Sequence, residues 1–162
     1  MPGTNVFIVQ GDVSEADSIR GAFGNVKKEF GDIDILICNA GYLSEFHSLE
    51  EADPKEWWKG WEINVGGAFN CTRAFLSTAG KNPILLEIST CPVVMPAMAK
   101  ASSYIPSKLA ATKVYETFAA ENPNFEVIHV HPGVVYSDIN VKSGISALDH
   151  GRLARARLNY LC

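Results

Sequence analysis

The sequence lacks several features that mark specialised classes of protein. Its four cysteines, Cys38, Cys71, Cys91 and Cys162, are scattered with no C-x-x-C pair. That spacing suits neither a zinc site nor a small disulfide scaffold, and it favours a reducing, cytoplasmic location. No apolar run approaches the roughly 18 residues of a membrane span, and the N-terminus has no basic start, so we expect neither a membrane anchor nor a signal peptide.

Positive charge is also scarce. Lysine and arginine number 14 against 18 acidic residues, which gives a formal net charge of −4. Because an acidic surface does not attract nucleic acids or anionic membranes, we expect neither as a partner. His129 and His131 alternate on a predicted strand, but no second cluster of ligands accompanies them, so we expect no metal site. The 162 residues are 47% hydrophobic and 20% charged, which predicts one globular domain with a sizeable core.

Predicted strands alternate with predicted helices along the chain. A short β-rich run, Val6–Val9, precedes a predicted helix over 14–30, in which Ser14 is the N-cap and Gly31 the stop. The other predicted strands are 33–38, 83–89 and 125–130, and the other predicted helices are 53–79, interrupted near Asn64, and 104–120. Strands that alternate with helices of this size imply parallel crossovers, so we expect an α/β fold.

The stretch Tyr104-Ile105-Pro106-Ser107-Lys108 offers the clearest chemistry. Residues four apart on a helix point from the same face. A phenol has an unperturbed pKa of about 10, and a nearby ammonium lowers that pKa because it favours the phenolate. Tyr104 and Lys108 are therefore candidates for an acid/base pair that reduces a carbonyl or oxidises an alcohol. The alternative is an ordinary helix whose tyrosine packs inward while its lysine extends to solvent.

Further motifs occur around this stretch in a fixed order. They are Asn39-Ala40-Gly41 after a strand, Asn64 in the next helix, Ile88-Ser89-Thr90 at a strand end, and Pro132-Gly133 after the last strand. With Tyr104-x-x-x-Lys108, this order resembles the short-chain dehydrogenases/reductases, from about Val6 to about Asp138. The resemblance implies a three-layer, Rossmann-like parallel sheet with helices on both faces, incomplete at about four strands. This partial domain would cover 1–140, and 141–162 would be an irregular tail or a short helix.

The resemblance also implies a role for each matching residue. Tyr104 would be the general acid/base, Lys108 would lower its pKa and bind the nicotinamide ribose, and Asn64 would hold a water of a proton relay. The cofactor, NAD or NADP, would be contacted by Asp12, Val13, Asn39, Ala40, Gly41, Lys108, Pro132, Gly133, Val135 and Ser137. The substrate would be a small alcohol or carbonyl compound. Two copies of the chain would pair through helices 53–79 and 104–120.

The hydroxyl that orients the substrate is less clear from the sequence. The family places a serine about thirteen residues before the tyrosine, where this chain has Cys91, but the strand-end pattern Ile-Ser-Ser matches Thr90. A thiol is a poor hydrogen-bond donor, whereas a threonine hydroxyl can still orient a carbonyl. We therefore choose Thr90 and keep Ser89 in reserve.

Two family features have no match in the sequence. The Gly-rich turn that cradles the cofactor's pyrophosphate is missing, because Gly21 and Gly24 lie within a helix pattern. The chain thus starts at the family's third strand, and we expect either that Val6–Val9 moves beside the strand 33–38 or that the fold is poorly stable. The arginine-containing stretch 151–158 is either a short basic helix or a product of altered splicing or frame. Two functions stay open, an NAD(P)-dependent oxidoreductase and a non-catalytic family fragment that does not bind cofactor productively.

Overall fold

The fold alternates helices and strands along the chain. The structure, a computed structural model, describes residues 4–133 and Ile139. Its elements are α1 (Ala16–Phe30), β1 (Ile33–Cys38), α2 (Pro54–Trp61), a π turn (Glu62–Gly66), α3 (Gly67–Thr78), β2 (Ala79–Ile88), a 3-10 turn (Cys91–Val94), α4 (Tyr104–Glu121) and β3 (Glu126–Val130). The division into a domain over 1–140 and a tail over 141–162 falls partly outside the described residues and stays a prediction.

The strands form one parallel sheet in the order β1-β2-β3. Leu36 pairs with Leu85, which pairs with Val127, so three apolar side chains form one row across the sheet. Two positions further along, Cys38, Glu87 and His129 form a second row on the same face. The predicted α/β fold with a parallel sheet is confirmed.

The prediction that Val6–Val9 forms a strand is wrong. Val6 is 76% exposed and Ile8 is 87% exposed, and the segment does not lie beside β1. Phe7 instead packs edge-on against Phe30 of α1. A β-rich run becomes a strand only when another strand satisfies its backbone hydrogen bonds, and this run has no such neighbour in the described part of the chain. The described sheet therefore has three strands rather than the expected four.

The core lies between one face of the sheet and the helices. Side chains from α3 and α4 surround Leu85 of β2 and Phe125, and the buried cluster comprises Ala68, Phe75, Leu85, Ala111, Tyr115, Phe118 and Phe125. On the opposite face, Ile35 and Ile37 are more than half exposed, and Ile128 is also exposed. Across residues 4–133 the helices thus cover one face, where we expected helices on both. None of the helices in this range is long and apolar enough to cross a membrane.

The helix ends follow local hydrogen bonding. Gly31 ends α1 with a φ of 87°, as predicted, because glycine tolerates the left-handed region. Ser14 is not the N-cap, since its backbone N–H and hydroxyl both donate to the Asp12 carboxylate and α1 begins two residues later. The Asp53 carboxylate accepts from the Lys55 backbone N–H and caps α2 as expected. The predicted interruption near Asn64 is the π turn between α2 and α3.

Candidate active site

The predicted acid/base pair lies at the start of α4, beside the end of β2. Tyr104 is the first residue of the helix and Lys108 lies one turn later. The Lys108 side chain is buried, and its Nζ donates to the Ile88 carbonyl at 2.7 Å. The Glu87 carboxylate lies 3.9 Å from the same ammonium. Lys108 therefore anchors α4 to β2 at the carboxyl end of the sheet.

Three candidate groups for orienting a substrate follow one another at this strand end, and they point in different directions. The Thr90 hydroxyl lies near the Tyr104 phenol and lowers its pKa. The Ser89 hydroxyl lies 3.3 Å from that of Thr112 on α4, away from the phenol. The Cys91 thiol lies 3.7 Å from the Met95 sulfur. Among the three, the structure brings Thr90 together with Tyr104.

The electrostatics of Tyr104 differ from the expected pattern. Burial raises the pKa of Tyr104 above its ordinary value, and the nearby Thr90 hydroxyl lowers it in part. The Lys108 ammonium is directed to the Ile88 carbonyl and to Glu87 instead. A half-buried phenol with a raised pKa stays protonated at neutral pH, so Tyr104 has a proton to donate there.

Asn64 lies in the π turn and is buried there. Its Oδ1 accepts from the Tyr42 backbone N–H at 2.8 Å, and its Nδ2 donates to the Tyr42 carbonyl at 3.0 Å. Nδ2 also donates to the Ser107 hydroxyl at 2.9 Å. Asn64 thus ties the segment after Asn39-Ala40-Gly41 to the helix that carries Lys108. The role of Asn64 in holding a water stays a prediction, and so do the roles assigned to the other site residues.

Several predicted cofactor residues lie at the edge of the sheet where the strands end. Asp12, Val13 and Ala40 line one open cleft together with Gln10, Gly11 and Ser18. Asn39, Ala40 and Gly41 are exposed directly after β1. Pro132 and Gly133 follow β3, and Gly133 has a φ of 79°, which favours glycine. Val135 and Ser137 lie outside the described residues.

These residues fit part of a dinucleotide cofactor. In open α/β sheets, ligands bind outside the carboxyl ends of the strands, which is where the cleft and both glycine segments lie. The fit is incomplete at the pyrophosphate, because the sequence contains no Gly-rich turn that leads into a helix.

The sequence interpretation missed Glu87, and it considered His129 only as a metal ligand. Glu87 is fully buried in β2, and His129 of β3 contacts its carboxylate at 2.5 Å. His131 was considered only as a metal ligand, but its Nδ1 accepts from the Cys91 backbone N–H at 3.1 Å. The signal available for Glu87 is a single charge within the apolar run Leu85-Leu86-Glu87-Ile88.

Comparison with known proteins places this geometry in a family. The family model described as short chain dehydrogenase matches residues 1–146. The chain belongs to the short-chain dehydrogenase family. Two relatives are short chain dehydrogenases of Emericella variicolor, 33% identical over 83% of this chain, and of Monascus ruber, 34% identical over 81% of it. The matches cover 47% and 44% of those proteins, so the chain spans about half the length of the curated relatives.

A solved structure in the family supports the same conclusion for the fold. An alcohol dehydrogenase from the archaeon Thermococcus sibiricus, complexed with 5-hydroxy-NADP, is 29% identical and superposes with a TM-score of 0.79. The match covers 86% of this chain and 59% of that protein. The family resemblance predicted from the ordered motifs is therefore confirmed over most of the chain.

Proposed function

We propose that the chain carries the acid/base and substrate-orienting residues of an NAD(P)-dependent oxidoreductase, acting between a secondary alcohol and a ketone. One observation carries the proposal: the Tyr104 phenol and the Thr90 hydroxyl meet at the end of β2, with Lys108 one helical turn away. The solved alcohol dehydrogenase of Thermococcus sibiricus, which binds an NADP derivative, supports the same reaction class.

The roles of the residues follow from their protonation states. The nicotinamide of a bound cofactor would supply or accept the hydride at the carbon of the substrate. In the reductive direction, Thr90 donates a hydrogen bond to the carbonyl oxygen, and Tyr104 gives that oxygen its phenolic proton. The raised pKa of Tyr104 favours this direction, because the proton to be transferred is present at neutral pH. In the oxidative direction, the phenolate of Tyr104 takes the proton of the alcohol.

The positions of the cofactor residues support contacts at the two ends of a nicotinamide dinucleotide. Asp12 and Val13 would hold the adenine end, and Asn39-Ala40-Gly41 would lie along the ribose. Pro132 and Gly133 would hold the nicotinamide end, where Lys108 would bind the ribose hydroxyls.

The second candidate function is a family fragment without catalytic activity. It is favoured by the missing Gly-rich turn, because backbone N–H groups at a helix N-terminus are the usual partners of the pyrophosphate. Such a fragment would keep the fold and bind cofactor weakly or not at all.

Titrating the chain with NADPH and with NADH, while following nicotinamide fluorescence, separates the two functions. Saturable binding, with turnover of small ketones that Tyr104→Phe abolishes while binding persists, is the expected result. No saturable binding at about millimolar cofactor would remove the oxidoreductase proposal for this chain. Turnover that survives Tyr104→Phe would remove the role assigned to the phenol.

A further inference from the structure

Glu87 is a carboxylate with no exposed surface in the middle strand of the sheet. Burying a charge is costly unless it is paired and hydrogen-bonded. The Glu87 oxygens accept from the Thr112 hydroxyl at 3.1 Å and lie 2.5 Å from Nδ1 of His129. The Lys108 ammonium lies 3.9 Å from Oε1. Among the described residues, the polar partners of this carboxylate thus come from α4 and β3.

The surroundings of Glu87 leave Lys108 as its cationic partner within the core. Across the sheet, Cys38 of β1 and His129 of β3 occupy the same row as Glu87, and Tyr115 of α4 lies nearby. The His129 ring is 32% exposed and reaches the surface, where Glu116 and Lys113 are its charged neighbours. The Lys108 side chain, by contrast, is only 9% exposed.

We propose that Glu87 is a positioning residue for Lys108, whose carboxylate keeps the buried ammonium charged and directed to the end of β2. This proposal rests on the oxidoreductase function proposed above only where it concerns the action of Lys108 on the cofactor and on Tyr104. Its physical basis is independent of that function, because an ammonium buried among apolar side chains loses its proton readily unless an anion compensates.

The directions of the pKa shifts agree with this arrangement. Burial lowers the pKa of Lys108, and the charge of Glu87 opposes that shift. The hydrogen bond to Glu87 raises the pKa of His129 against the effect of burial. As the pH rises through its raised pKa, His129 becomes neutral and then no longer offsets the Glu87 charge. His129 and Thr112 both contact Oε2 of the Glu87 carboxylate.

The test follows the protonation of Lys108 directly. Lysine carrying an isotope label is introduced into the full chain, the Lys108 resonance is identified with Lys108→Arg, and its titration midpoint is measured by NMR. In Glu87→Gln the midpoint falls by about one to two pH units, because the compensating charge is gone. The control Glu116→Gln, an exposed acid that pairs with Lys113, leaves it unchanged. Equal midpoints in the wild type and in Glu87→Gln would overturn the proposal.

A second measurement uses the unmodified protein, in case Glu87→Gln does not fold. The proposal requires an ionised Glu87, which raises the pKa of His129 above its ordinary value of about 6.5. A His129 titration midpoint clearly above that value is expected in the wild type. A midpoint at or below it would show that the carboxylate is not charged and would end the proposal.

Cofactor binding separates this proposal from the function it rests on. If the wild type binds NADPH, its binding is lost at some alkaline pH. In Glu87→Gln we expect this pH to be lower, by the same amount as the titration midpoint of Lys108. If Glu87→Gln instead weakens NADPH binding by the same factor at every pH, Glu87 has a merely structural role, which would contradict the proposal. If the wild type binds no NADPH at any pH, the oxidoreductase function fails, and the Lys108 midpoint still decides the role of Glu87.

Discussion

At the scale of single residues, the direction of the backbone at the end of β2 determines which neighbour each of three successive side chains contacts. Side chains alternate along an extended chain, so Ser89 faces Thr112 on α4 while Thr90 faces Tyr104. Cys91 begins a 3-10 turn, which directs its thiol toward Met95. The choice of Thr90 over the other two rests on this geometry as well as on hydroxyl chemistry.

Thr90→Val should lower the rate of carbonyl reduction by about a hundredfold, because it removes the hydrogen-bond donor next to the phenol without changing the size of the side chain. Cys91→Ser is the matched control and should leave the rate nearly unchanged. The rates are compared from the oxidation of NADPH at saturating ketone. A large loss in Cys91→Ser with a small one in Thr90→Val would move the orienting role to position 91.

Two histidines on one strand end should stabilise the fold in opposite pH ranges. Glu87 raises the pKa of His129, so its contribution to the free energy of unfolding is present below about pH 6.5 and lost as pH rises through the raised folded pKa. Burial lowers the pKa of His131, so its contribution is present above about pH 6.5 and lost as pH falls through the lowered folded pKa.

Urea unfolding at about pH 5 and about pH 9 tests both signs. His129→Gln should cost more stability at the acidic pH, and His131→Gln should cost more at the alkaline pH. His131→Gln also removes the acceptor for the Cys91 backbone N–H, which needs a neutral ring. The same pH dependence in both variants would contradict the assignment.

At the scale of helices and strands, the sequence predicted the elements whose signals are local. The helix from Tyr104 begins at the predicted residue, and β1 matches its predicted range, which a mostly apolar run after Gly31 marks. Val6–Val9 failed as a strand because strand formation depends on a neighbour that the run itself does not specify. The Glu87–His129 pair could not be found because its register across β2 and β3 is set by the whole sheet.

The α3 helix is fitted closely against the loop that carries the predicted adenine contacts. A Cβ on Gly67 would lie 2.8 Å from the Val13 Cγ2 atom and 3.1 Å from its Cβ, whereas a Cβ on Gly66 would meet nothing within 4 Å. Gly67→Ala should therefore destabilise the fold by about 1–3 kcal/mol. Gly66→Ala should be neutral or stabilising by up to about 1 kcal/mol, since alanine favours helix.

Thermal unfolding of the two glycine variants, alone and with Val13→Ala, checks this contact. Val13→Ala removes the methyl groups that the new Cβ would meet, so it should recover part of the loss in Gly67→Ala. No such recovery, or an equal loss in Gly66→Ala, would show that the close approach does not set the stability.

At the scale of the whole molecule, the residues that the structure describes expose apolar side chains on two sides. Phe69 and Leu76 lie seven residues apart on the outer face of α3, and each is about half exposed. The uncovered face of the sheet presents Ile35, Ile37 and Ile128. Exposed patches of this kind mark surfaces that associate with other surfaces.

We propose that two copies pair through α3 and α4 rather than through the sheet face. Light scattering after size exclusion should give a dimer for the wild type and a monomer for Phe69→Lys with Leu76→Lys, because charge at the seam opposes its burial. Ile128→Lys on the sheet face is the control and should stay dimeric. A monomer in the control alone would place the contact on the sheet.

The π turn that presents Asn64 has one more consequence. Such a turn is an α-helix with a single extra residue, so deleting Ile63 would restore regular α-helix and keep α2 and α3 on their present faces. Deleting Arg73 instead would rotate Phe75 by about 100° out of the core. Melting curves should show a folded protein for the first deletion and an unfolded one for the second. The helix therefore has one point at which evolution could change its length by a residue without losing the domain.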